Sequence, residues 1–311
     1  MKTFPHNRTR SRRGVAAGAA LLALAAVGVA APATTLAQSD SCPSVTVSTV
    51  ATAVIPFVDW AENLGFDGQG NLWVARLYRN EVQRYDSAGR VTATVPVPSP
   101  GAIRLGPDQL LYVVYGDNSL NFAPGVHDSG VVRFDPAAAT PVAEPFVSGL
   151  TMANGAAFDT SGNLYVADTG IGVLRVRPDA TIDTEWSAQA RMFGVNGLAV
   201  HGDSVYTTVY LTPQGRLLRI PIADPARQST TVETALADDL AAGRDGFLYV
   251  ASTSGALLRV DPDPDTRTTC TLLNRDPLAA VAALPNSGDL MVATGRGDVL
   301  RVHLRTSGSG S

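Results

Sequence analysis

A unit of about forty residues recurs six times along this chain, and no other feature limits the fold so tightly. One landmark is the aromatic or large apolar residue in an apolar run: Trp73, Tyr112, Tyr165, Tyr206, Tyr249 and Met291, at intervals of 39, 53, 41, 43 and 42. A second landmark is an arginine in the next run: Arg84, Arg133, Arg175, Arg219, Arg259 and Arg301, at intervals of 49, 42, 44, 40 and 42. Two independent markers keep step through all six copies. Between them lie short alternating segments broken by turn residues, such as Asp67-Gly-Gln-Gly70 and Arg244-Asp-Gly246. That is hairpin chemistry, and it excludes a helical repeat.

Four short strands in each repeat of this length predict a propeller blade. The fold class is therefore all-β, a six-bladed β-propeller. Three strands follow Leu278 before the chain runs out, whereas Ser44–Ala53 precedes the first blade and is strand-like. The expectation is that this N-terminal strand is the outer strand of the last blade and closes the ring, because an open ring exposes two sheet edges. One arginine per blade at a fixed place reads as a structural repeat feature rather than an anion site.

The chain ends divide it further. Residues 1–37 carry Lys2, Arg8, Arg10, Arg12 and Arg13, an apolar run from Val15 to Ala31, and small residues to Ala37. This is the pattern of a secretory signal peptide, and Arg12-Arg13 resembles a twin-arginine signal. The propeller is expected over 38–306, with a Ser/Gly tail at 307–311. A secreted protein without a membrane anchor follows, and a monomer is the expectation. Without the signal the formal charge is 19 basic against 28 acidic residues, or −9. Such a surface argues against nucleic acid or anionic lipid as a partner. The remaining cysteines, Cys42 and Cys270, form an even pair in an exported chain and suggest a disulfide between the outer strands of blades six and five, if their geometry permits.

Counting back from each aromatic landmark locates the entrance to each inner strand: Glu62, Gly101, Asn154, Asn196, Asp238 and Ala280. In a propeller these six points converge on the axis at one face. Four bear side-chain oxygen and none is His or Cys. Two carboxylates and two amides crowded on one axis repel or take up protons unless a cation compensates them. An all-oxygen set suits Ca2+, with Mg2+ or Mn2+ as alternatives. The competing reading is a wet channel in which these groups bond to water and neighbouring turns, since Asn-Gly is also ordinary turn chemistry.

These segments, Glu62-Asn-Leu-Gly-Phe-Asp67, Asn154-Gly155, Asn196-Gly197-Leu198 and Ala237-Asp238-Asp239-Leu240, resemble the metal-binding positions of regucalcin/gluconolactonase-like propellers. The resemblance spans essentially the whole mature chain. It implies one catalytic divalent ion in the central tunnel and lactone hydrolysis, with Glu62, Asn196 and Asp238 as ligands and Asn154 as a ligand or substrate contact. The Asp238-Asp239 pair is also similar to paraoxonases, which makes Asp239 a further ligand candidate. Met152 stands where gluconolactonases carry a sugar-binding arginine, so a more apolar lactone or simple ester is expected. Asn63 and Gly155 stand where paraoxonases have acidic residues for a second calcium, so one ion is expected.

Blade two has an insertion, Gly116–Ser129, on the same face as the ring, a candidate lid or specificity wall. It contains Asp117, Asn121, Phe122, His127 and Asp128. The expected chemistry is metal-assisted hydrolysis of a small-molecule lactone or ester, with Asp238 or His127 activating water. Two readings compete: a non-enzymatic binding or scaffold propeller, and a metal-free condensing enzyme similar to strictosidine synthase. The chain carries no Gly-x-Ser-x-Gly elbow before a helix to support a serine nucleophile.

Overall fold

A computed structural model describes residues 42–266 and 268–305. The signal peptide expected at 1–37 and the tail at 307–311 lie outside the described residues. Six antiparallel sheets follow one another in chain order. Their inner strands are Ala61–Phe66, Ile103–Leu105, Ala153–Phe158, Val195–His201, Ala237–Ala242 and Leu278–Ala283. Each inner strand neighbours the next around the axis, and the first also neighbours the last. The described chain is a six-bladed all-β propeller.

The two landmarks keep step because they face each other. Trp73 pairs with Arg84, Tyr112 with Arg133, Tyr165 with Arg175, Tyr206 with Arg219, Tyr249 with Arg259 and Met291 with Arg301. Several of these arginines lie over aromatic rings, Arg84 at 5.7 Å from the Trp73 centroid and Arg133 at 6.0 Å from that of Tyr112. Several also pair with the aspartate that opens the inner hairpin, as in Arg219–Asp203 at 3.0 Å and Arg259–Asp245 at 3.2 Å. These are largely exposed pairs worth about 0–1 kcal/mol each. They trim the surface.

Cohesion comes from apolar packing between blades. Among the described residues six buried clusters occur, one at each junction. Trp73 and Val82 pack with Ile103 and Leu111 between blades one and two. Leu64 and Val74 pack with Ala293 and Val299 between blades one and six. Fully burying each such Leu, Ile or Val contributes about 1.5–3 kcal/mol.

Blade three departs from the four-strand expectation. Its sheet has three strands, and a short helix, Thr184–Gln189, takes the outer position. Asp183 caps that helix by accepting from the Trp186 amide. Trp186 is buried against Tyr165 at 5.1 Å between ring centroids and donates through Nε1 to the Ile222 carbonyl. Filling the groove with this indole replaces the edge strand.

The outer strand of the last sheet is Ser44–Ala51, antiparallel to Val299–Arg305. Cys42 lies just before that strand, and bonds to Cys270 in the outer strand of blade five, with 5.7 Å between Cα atoms. The bridge ties residues 228 apart. Cross-links that close long loops typically stabilise by about 2–4 kcal/mol. The Cys42→Ser/Cys270→Ser chain is accordingly expected to lose about that much in denaturant unfolding; an unchanged midpoint would show that the bridge contributes nothing.

Candidate metal centre

Five of the six inner strands begin with an irregularity that aims side chains at the axis. Residues Gly65, Arg104, Ala157, Ala199, Ala241 and Ala282 pair directly with the aromatic landmarks. Three residues earlier the strands carry Glu62, Gly101, Asn154, Asn196, Asp238 and Ala279. In the five fully paired inner strands a bulge falls near this point. A bulge adds a residue to one strand and re-aims side chains. The sixth ring position is Ala279, and not Ala280 as counted from Met291, because the blade-six hairpin is one residue longer. Both residues are alanine, so the donor set is unaffected.

The structure brings Glu62, Asn154, Asn196 and Asp238 to one end of the tunnel, all buried. Close backbone packing makes this possible. A Cβ on Gly155 would collide with the Asn196 carbonyl oxygen, and one on Gly197 with the Asp239 backbone. Two threonines brace the turn-in. Thr208 Oγ1 donates to the Asp238 carbonyl at 2.8 Å and accepts from the Gly197 amide at 2.7 Å, while Thr207 Oγ1 donates to the Gly197 carbonyl at 2.8 Å. Trp60 Nε1 donates to Glu62 Oε2 at 2.6 Å. Asn154 Nδ2 donates to Glu62 Oε1 at 3.3 Å and to Asp117 Oδ2 at 3.0 Å.

Asp117 is the residue that sequence reasoning passed over as a member of the site. It opens the blade-two insertion, and the signal available was its place on a loop rising beside the ring. His127, from the same insertion, is exposed. It makes none of the hydrogen bonds of the ring. Met152 is buried. The lip is aromatic, with Trp60 against Tyr78 at 6.2 Å and Phe122 near Phe193 at 6.1 Å.

Asp239 differs from its neighbour. Its Oδ2 accepts from Asn63 Nδ2 at 3.0 Å, and its buried Oδ1 has no hydrogen-bond partner but lies 3.6 Å from Arg104 Nη2, an ion-pair contact. Asp238 faces the ring, and Asp239 is engaged in the layer beneath it.

The electrostatics follow from crowding. The Glu62 carboxyl is pushed well above the ordinary carboxylate range by burial, then by Asp238 and Asp117. Asp238 is pushed up likewise by burial, then by Asp117 and Asp239. Burial raises Asp117 to about 6. Tyr78 and Tyr210 at the mouth are raised by burial and by the negative charge of the well.

The residues fit a hard cation. The Asn196 Oδ1 is buried with no hydrogen-bond partner. A buried acceptor left in that state costs about 1–3 kcal/mol, and a cation beside Glu62 and Asp238 would relieve both defects. Among the described residues, no three His, Cys, Asp or Glu side chains form a chelating group by themselves. The set therefore depends on amide oxygens. Asn154 presents its amide nitrogen to two carboxylates, and a half-turn of that amide would present its oxygen instead.

No protein-family model and no curated protein matches the sequence. Solved structures do. A gluconolactonase from Xanthomonas campestris is similar at 14% identity and a TM-score of 0.64, over 84% of this chain and 96% of that one. The calcium-binding protein regucalcin from Agrobacterium tumefaciens matches at 16% and 0.59, over 83% and 96%. A PQQ-bound aldose sugar dehydrogenase from Streptomyces coelicolor matches at 19% and 0.63, over 85% and 100%. Identities this low establish the shared propeller and leave the chemistry to the site.

A carboxyl held above its unfolded value favours the fold at low pH, and that contribution is lost as pH rises through the folded value. The metal-free chain should therefore lose thermal stability relative to its Asp238→Asn variant from about pH 4 upward. Added calcium should abolish the difference in slope. Parallel melting curves across this range would contradict the assignment of repulsion to the well.

Proposed function

We propose that the protein is a metal-dependent hydrolase of a lactone or simple ester, exported to an oxidising compartment. What carries the reading is the buried ring of oxygen donors with the unpartnered Asn196 Oδ1 among them. Glu62, Asn196 and Asp238 would hold the ion, with Asn154 turned to present its oxygen; Ca2+ suits this donor set, and Mg2+ or Mn2+ are the alternatives. When bound, such an ion supplies Lewis acidity toward a carbonyl oxygen. The N-terminal segment and the Cys42–Cys270 bridge support export, and the pairing of Ser44–Ala51 with the last blade supports its role as the closing strand of the ring.

The chain's own residues account for the remaining steps. The aromatic lip gives an apolar acyl or alkoxy group a dry surface, and Met152 in place of a sugar-binding arginine favours the same class. Asp238, or Asp117 beside Asn154, accepts a proton from water as its oxygen attacks the carbonyl carbon. The ester C–O bond then breaks, and the departing alkoxide recovers a proton to give a hydroxy acid or an acid and an alcohol. Exposed His127 makes no hydrogen bond to the ring and is the weaker candidate base.

The dehydrogenase neighbours suggest a second class, a quinone-dependent sugar oxidation. PQQ carries three carboxylates, and a well lined by Glu62, Asp117 and Asp238 opposes an anionic cofactor. A binding or scaffold role is the other competitor, and bound metal alone does not separate it from catalysis. The deciding measurement is hydrolysis of a panel of apolar and sugar lactones and aryl esters by the calcium-loaded chain. Activity on the apolar members is expected, removed by a chelator and by Glu62→Gln or Asp238→Asn. Asp117→Asn should retain calcium while kcat falls by about 100-fold or more. A calcium-loaded chain silent on the whole panel would sink the hydrolase reading in favour of a binding role.

A further inference from the structure

Beneath the ring lies the layer of Gly65, Arg104, Ala157, Ala199, Ala241 and Ala282. Five of these have at most one side-chain carbon, and the sixth is an arginine. In a ring of six blades, blade two lies opposite blade five. Arg104 starts on blade two and reaches Asp239 on blade five, with Nη2 3.6 Å from Oδ1. Its Nη1 donates to Asn63 Oδ1 on blade one at 2.9 Å and to its own neighbour's carbonyl, Ile103, at 2.8 Å. Asn63 Nδ2 completes the triangle on Asp239 Oδ2 at 3.0 Å. The guanidinium thus spans the axis. This layer lines a cavity of about 550 Å³ that continues past Phe66, Leu105, Phe158 and Val200 to the polar side chains of Asp67, Gln69 and Asn286.

We propose that Arg104 is a positioning residue that floors the acidic well, neutralising Asp239 and holding its carboxylate away from the cation above. The ligand set is then Glu62, Asn154, Asn196 and Asp238, without Asp239. This rests on the metal reading of the well. The geometry explains why adjacent aspartates have different partners. Asp238 turns to the ring, while Asp239 is claimed by a planar cation that can bridge two partners at once, which a lysine ammonium matches poorly.

The test is calorimetric titration of calcium into the metal-stripped full chain and its variants. The parent should bind one ion. Arg104→Met removes a positive charge and releases Asp239, so calcium binding should tighten at least about tenfold. Loss of a merely structural contact would not tighten it. Arg104→Met/Asp239→Asn should return to the parent affinity. Asp239→Asn alone leaves the guanidinium unneutralised and should weaken binding by a similar factor, and it serves if Arg104→Met fails to fold. Folded variants that bind calcium as the parent does would overturn the role of Arg104 alone. A parent chain that takes up no calcium would overturn the metal reading, and this inference with it.

Discussion

The convergence of six inner strands on one axis is the constraint on which the rest of this structure depends. Near the axis there is no room to disperse what the strands present. Gly155 and Gly197 are required there because any side chain would strike the next strand's backbone. The same crowding places Glu62, Asp117 and Asp238 within electrostatic reach of each other in a buried site. Charged groups brought so close and out of water demand compensation. The bulges, the Thr207 and Thr208 braces and the Trp60 hydrogen bond are the devices that hold this arrangement in place.

Magnitudes separate the parts of the molecule that stabilise it from those that crowd the axis. The arginine comb is the most conspicuous charge pattern, yet its exposed pairs contribute about 0–1 kcal/mol each. The six apolar clusters between blades contribute far more, because every fully buried Leu, Ile or Val is worth about 1.5–3 kcal/mol. That surplus allows the axis to carry groups that work against folding. The tunnel is accordingly two-sided. One end is acidic, rimmed by aromatic side chains, and the other is a cavity of mixed lining, Phe66 and Phe158 beside Asp67, Asn286 and Arg104.

Much of the architecture was legible in the sequence because the repeat is written twice. The aromatic landmarks and the arginines are cross-strand partners, so their spacings had to keep step. Counting from them located Glu62, Asn154, Asn196 and Asp238 at equivalent points. The count slipped at Ala280, since a hairpin one residue longer moves the register and composition does not reveal it. It also missed the helix in blade three, where Asp183 and buried Trp186 override the expected outer strand.

By itself, the sequence determined the blade number and the four axis-facing positions that carry side-chain oxygen. These follow from local periodicity, and a strand's alternation is a property of the chain. Only the tertiary structure decided which of those groups meet. Asp117 joins the well because its loop folds back over Asn154. Asp239 leaves the ring because Arg104, about 135 residues away in the chain but across a narrow tunnel in space, offers it a partner. Such pairings depend on where six blades bring their edges together, and no spacing within a single repeat encodes that.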